Sequence, residues 1–311
     1  MNLPGSERLR GLVVLALRVW LITAILLRVT RLRDAFDPLA LVFYTTPWPV
    51  IALGLGVMAL HHFRLGNRHR VLRYLVLMGG ACMVWVALSW RSAPASAKIS
   101  GVRVVLWNVA RAETRFPGIA SWLHQQEADL ISIAEAESAN PRSLARWRAE
   151  FPQYETCLSA GNMLCMVRGD LLHSESGELS SGSYYALHRV RVRGRELTVL
   201  QADIYARPRK SRRAPLKRLV ELARRHSGEN LVVLGDFNTP ADSAHLDALR
   251  AELTNCFEAV GNGIAETWPF PFPVLSLDQI WVSRSVRPLQ STHGWSSLSD
   301  HRPVITDLTL R

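Results

Sequence analysis

The stretch Leu231-Val-Val-Leu-Gly-Asp-Phe-Asn238 sets the reading of the chain. A short run of β-favouring apolar residues ends abruptly in a glycine, an acid and an amide. A strand of this kind carries a carboxylate to its own end, which is how a rigid scaffold aims polar groups into a shared cleft. The same construction recurs along the C-terminal part of the sequence. Val104-Val-Leu-Trp-Asn108 ends in Asn108, and Asp129-Leu-Ile-Ser-Ile-Ala-Glu135 ends in Glu135. Ser276-Leu-Asp-Gln-Ile280 opens a strand at Asp278, and Leu298-Ser-Asp-His-Arg-Pro-Val304 sets Asp300 and His301 just ahead of the last strand. Taken singly, each piece also has a plain structural reading: Asp236 and Asn238 as turn residues, Asn108 as a loop cap, Glu135 as a solvent-facing strand end.

Working outward, strands are predicted at Val102–Trp107, Asp129–Ala134, Met163–Arg168, Tyr184–Arg193, Glu196–Ile204, Asn230–Leu234, Leu277–Ser283 and Pro303–Leu310. Helical patterns fall between them at Gly118–Glu127, Pro141–Glu150, Ala214–His226 and Ser243–Leu253. So many strands in residues 101–311 predict an α/β class domain: a four-layered α/β sandwich of two packed mixed β-sheets flanked by helices.

The N-terminal third is different in kind. Of 311 residues 48% are hydrophobic, and the net charge is +11. That charge invites a nucleic-acid reading until it is located. Residues 1–100 hold 12 Lys/Arg against 3 Asp/Glu, whereas the remainder holds 25 against 23. The excess therefore sits among apolar stretches, where it reads as membrane topology. Three spans are expected, near 11–29, 38–60 and 73–91, with Pro47 and Pro49 kinking the second. Arg18 falls inside the first and would be costly facing lipid. A transmembrane anchor over 1–91 and a small, polar linker over 92–100 follow. In a three-span topology, the tail and the Arg64–Arg73 loop carry six basic residues on one side. The other side carries five. This balance places the C-terminal domain on the non-cytoplasmic side.

The order and spacing of the strand-end motifs resemble the endonuclease/exonuclease/phosphatase superfamily, the group of deoxyribonuclease I and the apurinic endonucleases. The resemblance covers residues 101–311, and the N-terminal spans look like a membrane-anchored bacterial branch, which implies the cytoplasmic membrane. It implies a phosphoesterase that hydrolyses phosphodiesters in nuclease fashion. A phosphatase or phosphodiesterase acting on lipid headgroups or small phosphate esters is the alternative; a silent module binding phosphorylated ligands is another. The expected substrate is a phosphate ester in nucleic acid or a lipid headgroup, the expected contact is membrane lipid, and no obligate protein partner is called for. Phosphate-ester hydrolysis needs charge neutralisation and an activated water, which hard-ligand Mg²⁺ (or Mn²⁺) supplies. Glu135 and Asp300 are the expected metal ligands, with Asn108 as a further ligand or orienter. The resemblance implies that His301 contacts phosphate or acts as general base, oriented by Asp278. Asp236 and Asn238 would position water or the leaving group.

Departures from the pattern are informative. Asp203 stands where many relatives carry a histidine that assists the leaving group. Ala134 replaces the glutamine before the catalytic glutamate, and Gln279 the histidine after the strand aspartate. The run Arg207–Arg218 has seven basic residues in twelve, and Arg213 is singled out for substrate phosphate. Cys157 and Cys165 flank a turn about Gly161, so they are expected opposite each other in a hairpin and disulfide-bonded in an oxidising compartment. Free buried thiols are the alternative.

Overall fold

The computed structural model describes residues 4–30, 32–93, 101–111, 114–136, 141–207 and 209–310. Most of the expected linker lies outside them. The chain forms two compact units that part between Ser89 and Trp90.

The first unit is helical: α1 (Pro4–Val29), α2 (Asp37–Thr45), α3 (Trp48–Arg64) and α4 (Arg68–Ser89). Residues 8–29 and 68–89 are each long and apolar enough to cross a membrane. Helices α2 and α3 break at Pro47 and bend by 74°, so together they make at most a third span. Outward side chains on α1 and α4 stay apolar and exposed, among them Leu12, Val19, Leu72, Val76 and Met83. Exposed apolar faces of this extent mark a surface that contacts another protein or a membrane. Arg18 does not face outward. Its guanidinium lies 3.1 Å from Nε2 of the buried His62, which gives the costly charge a polar partner inside the unit.

The second unit begins at Trp90. Strand β1 (Trp90–Ser92) pairs with residues 262–264, so these residues belong to a sheet and not to the expected helix end and linker. Then follow β2 (Val102–Asn108), α5 (Phe116–Gln126), β3 (Leu130–Ala134), α6 (Pro141–Glu150), β4 (Glu155–Ser159), β5 (Met163–Val167), β6 (Gly169–Ser180), β7 (Ser183–Val192), β8 (Arg195–Asp203), α7 (Arg213–Arg225), β9 (Leu231–Asp236), β10 (Thr254–Asn255), β11 (Gly261–Ile264), β12 (Asp278–Val282), β13 (Val286–His293) and β14 (Val304–Leu310). One sheet runs β1-β11-β13-β14-β2-β3-β5-β4, the other β10-β12-β9-β8-β7-β6. Both are mixed, with β2–β3 and β8–β9 parallel.

Alternation along the strands builds the layers. Val104 and Leu106 on β2 and Val232 and Leu234 on β9 meet in a core between the sheets. Val105 and Trp107 turn the other way, onto Ile119 and Leu123 of α5. Leu231 and Val233 do the same against Leu216, Leu219 and Ala223 of α7. The strands read as unbroken apolar runs because both faces are covered. The result is the four-layered sandwich.

Cys157 and Cys165 stand opposite each other in register on β4 and β5, but both are free thiols. Cys157 Sγ turns instead toward Ser174 Oγ at 3.3 Å, while Cys165 packs into the inter-sheet core.

Candidate active site

Strand register assembles the site. Asp203, Asp236 and Asp278 lie abreast on β8, β9 and β12, each opposite the next. Gly235 permits this, since a Cβ there would sit 1.8 Å from Ala202 O on the neighbouring strand. Strands β2 and β3 deliver Asn108 and Glu135 from the other sheet. At these strand ends Glu135 and Asn238 hold positive φ of 51° and 46°, and Ala110 and Arg111 do so just past β2. Non-glycine residues persist there only when their surroundings over-determine them, and such strain gathers at functional sites.

His301 is buried and lies in the loop before β14. Its Nδ1 is 2.8 Å from Asp278 Oδ2 and its Nε2 is 3.9 Å from Asp236 Oδ2. Trp107 Nε1 donates to His301 O, and Ser299 Oγ to Asn108 O, which pins this loop to the end of β2. Ligand atoms of Asp236, Asp278 and His301 all lie within 4.8 Å of one another. Asn108 Nδ2 donates to Asp236 Oδ2 at 2.9 Å and to Glu135 Oε1 at 3.2 Å, while its Oδ1 accepts from Ala110 N. It therefore bridges the carboxylates of the two sheets.

The charges are crowded. Burial, followed by repulsion from Asp236 and Glu135, pushes Asp203 up to about 8. Burial and the Asp278 charge push Asp236 up to about 6. Burial works against the imidazolium of His301, but Asp278 and Asp236 outweigh it and raise the ring to about 10. Asp278 Oδ1 is buried without a hydrogen-bond partner. Excess buried carboxylate and an orphaned oxygen fit a divalent cation with hard oxygen donors.

Other expected residues are placed as follows. Asp300 is exposed, and its Oδ2 accepts from Trp268 Nε1 at 3.1 Å. Asn238 donates through Nδ2 to Ile204 O and through its backbone N–H to Asp236 Oδ1. Arg213 is not brought to this cluster; it lines a cleft with Lys217, Glu221, Arg224 and His245. Its neighbour Arg212 is the buried one, donating to Asn238 O and Arg207 O. Gln279 is tied to Thr239 O, Ser276 O and Trp281 Nε1, a structural role.

Sequence reasoning passed over the Thr267–Pro273 segment. Thr267 Oγ1 accepts from the backbone of Leu277 and Asp278. Trp268 stands 6.4 Å from the His301 ring, and Phe270 packs edge-on to Trp295 at 5.9 Å. The alternating aromatic and proline residues of Trp268-Pro-Phe-Pro-Phe-Pro273 were the available signal.

The profile of the Endonuclease/Exonuclease/phosphatase family matches residues 105–301. The chain belongs to that family, whose activity is phosphoester hydrolysis of the nuclease or phosphatase type. In sequence it is 36% identical over 87 residues to the protein YbhP of Escherichia coli, a match covering 27% of this chain and 34% of that one. In structure it resembles an endonuclease/exonuclease/phosphatase family protein from Bacteroides thetaiotaomicron, at 15% identity and a TM-score of 0.59, covering 69% of this chain and 100% of that one. It also resembles D. rerio TDP2 complexed with a single-strand DNA product, at 15% identity and a TM-score of 0.55, over 68% and 99% of the two chains.

Proposed function

We propose that this chain is a membrane-tethered phosphodiesterase that uses a bound divalent cation, Mg²⁺ or Mn²⁺. The observation that carries the reading is the row of Asp203, Asp236 and Asp278 with His301 set against it. Glu135 and Asp300, with Asn108 beside them, would hold the cation, whose charge would offset the Asp236 carboxylate that Asn108 links to Glu135 and the unpartnered Asp278 oxygen. There it would supply the positive charge that phosphoryl oxygens need.

The chain's own residues divide the remaining work. Asp278 fixes the His301 ring and leaves Nε2 toward the cleft. With its ring raised to about 10, His301 keeps its proton at neutral pH and serves as a cationic donor to phosphate rather than as the base. Asp236, near 6, is ionised at neutral pH and accepts the proton of the attacking water. In the metal-free site burial and the Asp236 and Glu135 charges raise Asp203 to about 8, which makes it the carboxyl that would carry a proton to the leaving oxygen. A carboxylic acid then does the work of the histidine that relatives carry at this place. Asn108 aligns Glu135 and Asp236.

The aromatic rim of Trp268, Phe270 and the exposed Trp295 suits a substrate with a flat group beside its phosphate. Base–aromatic stacking contributes about 1–3 kcal/mol per base. Single-stranded nucleic acid fits this best. A phosphodiester in a lipid headgroup is the second reading, favoured by the exposed apolar faces of α1 and α4. The test is to incubate the full chain in detergent micelles, with Mg²⁺ or Mn²⁺, with single-stranded DNA, RNA, phosphoinositide micelles and aryl phosphodiesters and monoesters. Diester cleavage with a preference for single-stranded polynucleotide is expected. Turnover confined to monoesters would overturn the diester assignment.

A further inference from the structure

A second polar cluster lies between the sheets, built from side chains that phosphoester hydrolysis leaves unused. His188 on β7 is fully buried. Its Nε2 lies 2.8 Å from Gln201 Oε1 and its Nδ1 3.0 Å from Ser174 Oγ. Gln201 Nε2 donates to Ser132 Oγ at 2.6 Å and to Leu164 O at 3.1 Å. A backbone carbonyl can only accept, so the amide orientation is fixed and Gln201 Oε1 must accept from His188. The ring proton is therefore on Nε2, and Nδ1 presents a lone pair to the Ser174 hydroxyl. Ser174 donates to it, which leaves the serine oxygen to accept from the Cys157 thiol 3.3 Å away. The chain of donors runs one way, from Cys157 through Ser174 to His188.

Cys157 is the reactive end. The His188 imidazole, reached through Ser174, outweighs its half-burial and brings the thiol down to about 7. Ser174 is exposed, so a small molecule can reach the sulfur past it. Opposite Cys157, in register on antiparallel β5, stands Cys165. Paired Cα atoms on such strands lie about 4.5 or 5.5 Å apart, according to pair type. Both spacings fall in the disulfide range of about 4.4–6.8 Å. Burial holds the Cys165 thiol up, and the nearby Cys157 raises it further. Only one of the pair is a thiolate at neutral pH, the asymmetry of an attacking and a resolving cysteine.

We infer that Cys157 is a hydroperoxide-reactive thiol and Cys165 its resolving partner, so that the β4–β5 hairpin carries a reversible redox site. The Cys157 thiolate attacks one peroxide oxygen and the O–O bond breaks. Sulfur is oxidised to a sulfenic acid, and the departing oxygen takes the proton that Cys157 passed through Ser174 to Nδ1 of His188 as the thiolate formed. Cys165 sulfur then attacks the sulfenic sulfur, the S–O bond breaks, and hydroxide leaves with the Cys165 proton as water. With hydrogen peroxide, two thiols and one peroxide give one disulfide and two waters. None of these side chains belongs to the Asp236–Asp278–His301 cluster, so the inference stands apart from the phosphodiesterase reading.

The test uses reduced full-chain protein in detergent micelles, treated with hydrogen peroxide at pH 7, denatured, alkylated and mapped by mass spectrometry. A Cys157–Cys165 cross-link that dithiothreitol reverses is expected, with Cys82 and Cys256 alkylated as free thiols. In Cys165→Ser the product becomes a dimedone-trapped sulfenic acid on Cys157. The pH midpoint for iodoacetamide labelling of Cys157 lies near 7 and moves toward the ordinary value of about 8.5 in Ser174→Ala or His188→Gln. Peroxide reaction at pH 7 then slows about tenfold. Peroxide that leaves Cys157 reduced, or that oxidises Cys82 or Cys256 first, overturns the inference. A labelling midpoint in the ordinary thiol range that neither variant moves overturns it as well.

Discussion

At Asp236 three strands bring their carboxylates to one line, and His301 and Asn108 are the buried donors that answer them. Glu135 stands at the open side of this group, linked to it through Asn108. In the proposed mechanism Glu135→Ala removes a carboxylate that would hold the cation, and a single stabiliser of transition-state charge contributes several kcal/mol. A loss of at least about a hundredfold in turnover is expected, with the circular dichroism spectrum unchanged; wild-type rates in this variant would contradict the assignment. Asp203 gives a subtler test. Proton donation matters most when the leaving alkoxide is basic. Asp203→Asn is therefore expected to slow alkyl diesters at least about tenfold more than p-nitrophenyl diesters, and equal losses on both would place Asp203 away from the leaving oxygen. Most of these positions were legible because strand-end polar residues interrupt apolar runs. Which arginine turns inward was not, since Arg212 and Arg213 are adjacent and only the backbone geometry before α7 buries the first. The Trp268 rim was missed because its segment has neither strand nor helix periodicity.

At the scale of elements, β9 shows how one small residue fixes a site. Gly235 lies between Leu234 in the core and Asp236 in the cleft, and its Cα hydrogen faces Ala202 O at a distance no side chain tolerates. Gly235→Ala must separate β8 from β9 and thereby Asp203 from Asp236. We expect destabilisation by more than about 2 kcal/mol in a denaturant melt, together with lost activity; an alanine variant of wild-type midpoint would refute this packing account. The strands legible in sequence are those covered on both faces, such as β2, β3, β8 and β9. Those missed are mostly edges: β4, β6, β10 and β1 end their sheets and need no apolar run. Strand β6, Gly-Asp-Leu-Leu-His-Ser-Glu-Ser-Gly-Glu-Leu-Ser, pairs along ten positions of β7 yet is largely exposed. Strand β13 is interior but carries Pro288 beside a register shift, and proline argues against a strand when only sequence is read.

For the whole molecule, charge crowding predicts an unusual response to pH. Asp236 is near 6 against 3.8, Asp203 near 8 against 3.8, and His301 near 10 against 6.5. All three hold protons more tightly folded than unfolded, so each contributes stability at low pH that is lost as pH rises through its folded value. The melting temperature of chelator-stripped protein should fall steadily between about pH 5 and 9, and saturating Mg²⁺ should raise it most at the alkaline end. A metal-free optimum at pH 8 or above would contradict this. Topology is a second whole-chain question. If the bent pair α2–α3 makes a third span and the N-terminus is cytoplasmic, the C-terminal unit lies on the outer side, and added protease cleaves it in intact spheroplasts. Full protection there would mean two spans or the reverse orientation. The most direct test of the central claim is hydrolysis of bis(p-nitrophenyl) phosphate by chelator-stripped full-chain protein, before and after Mg²⁺ or Mn²⁺ is restored. No turnover is expected without metal, recovery with it, and at least about a hundredfold loss in both Glu135→Ala and His301→Ala. Turnover that needs no divalent cation, or that survives in both variants, would contradict it.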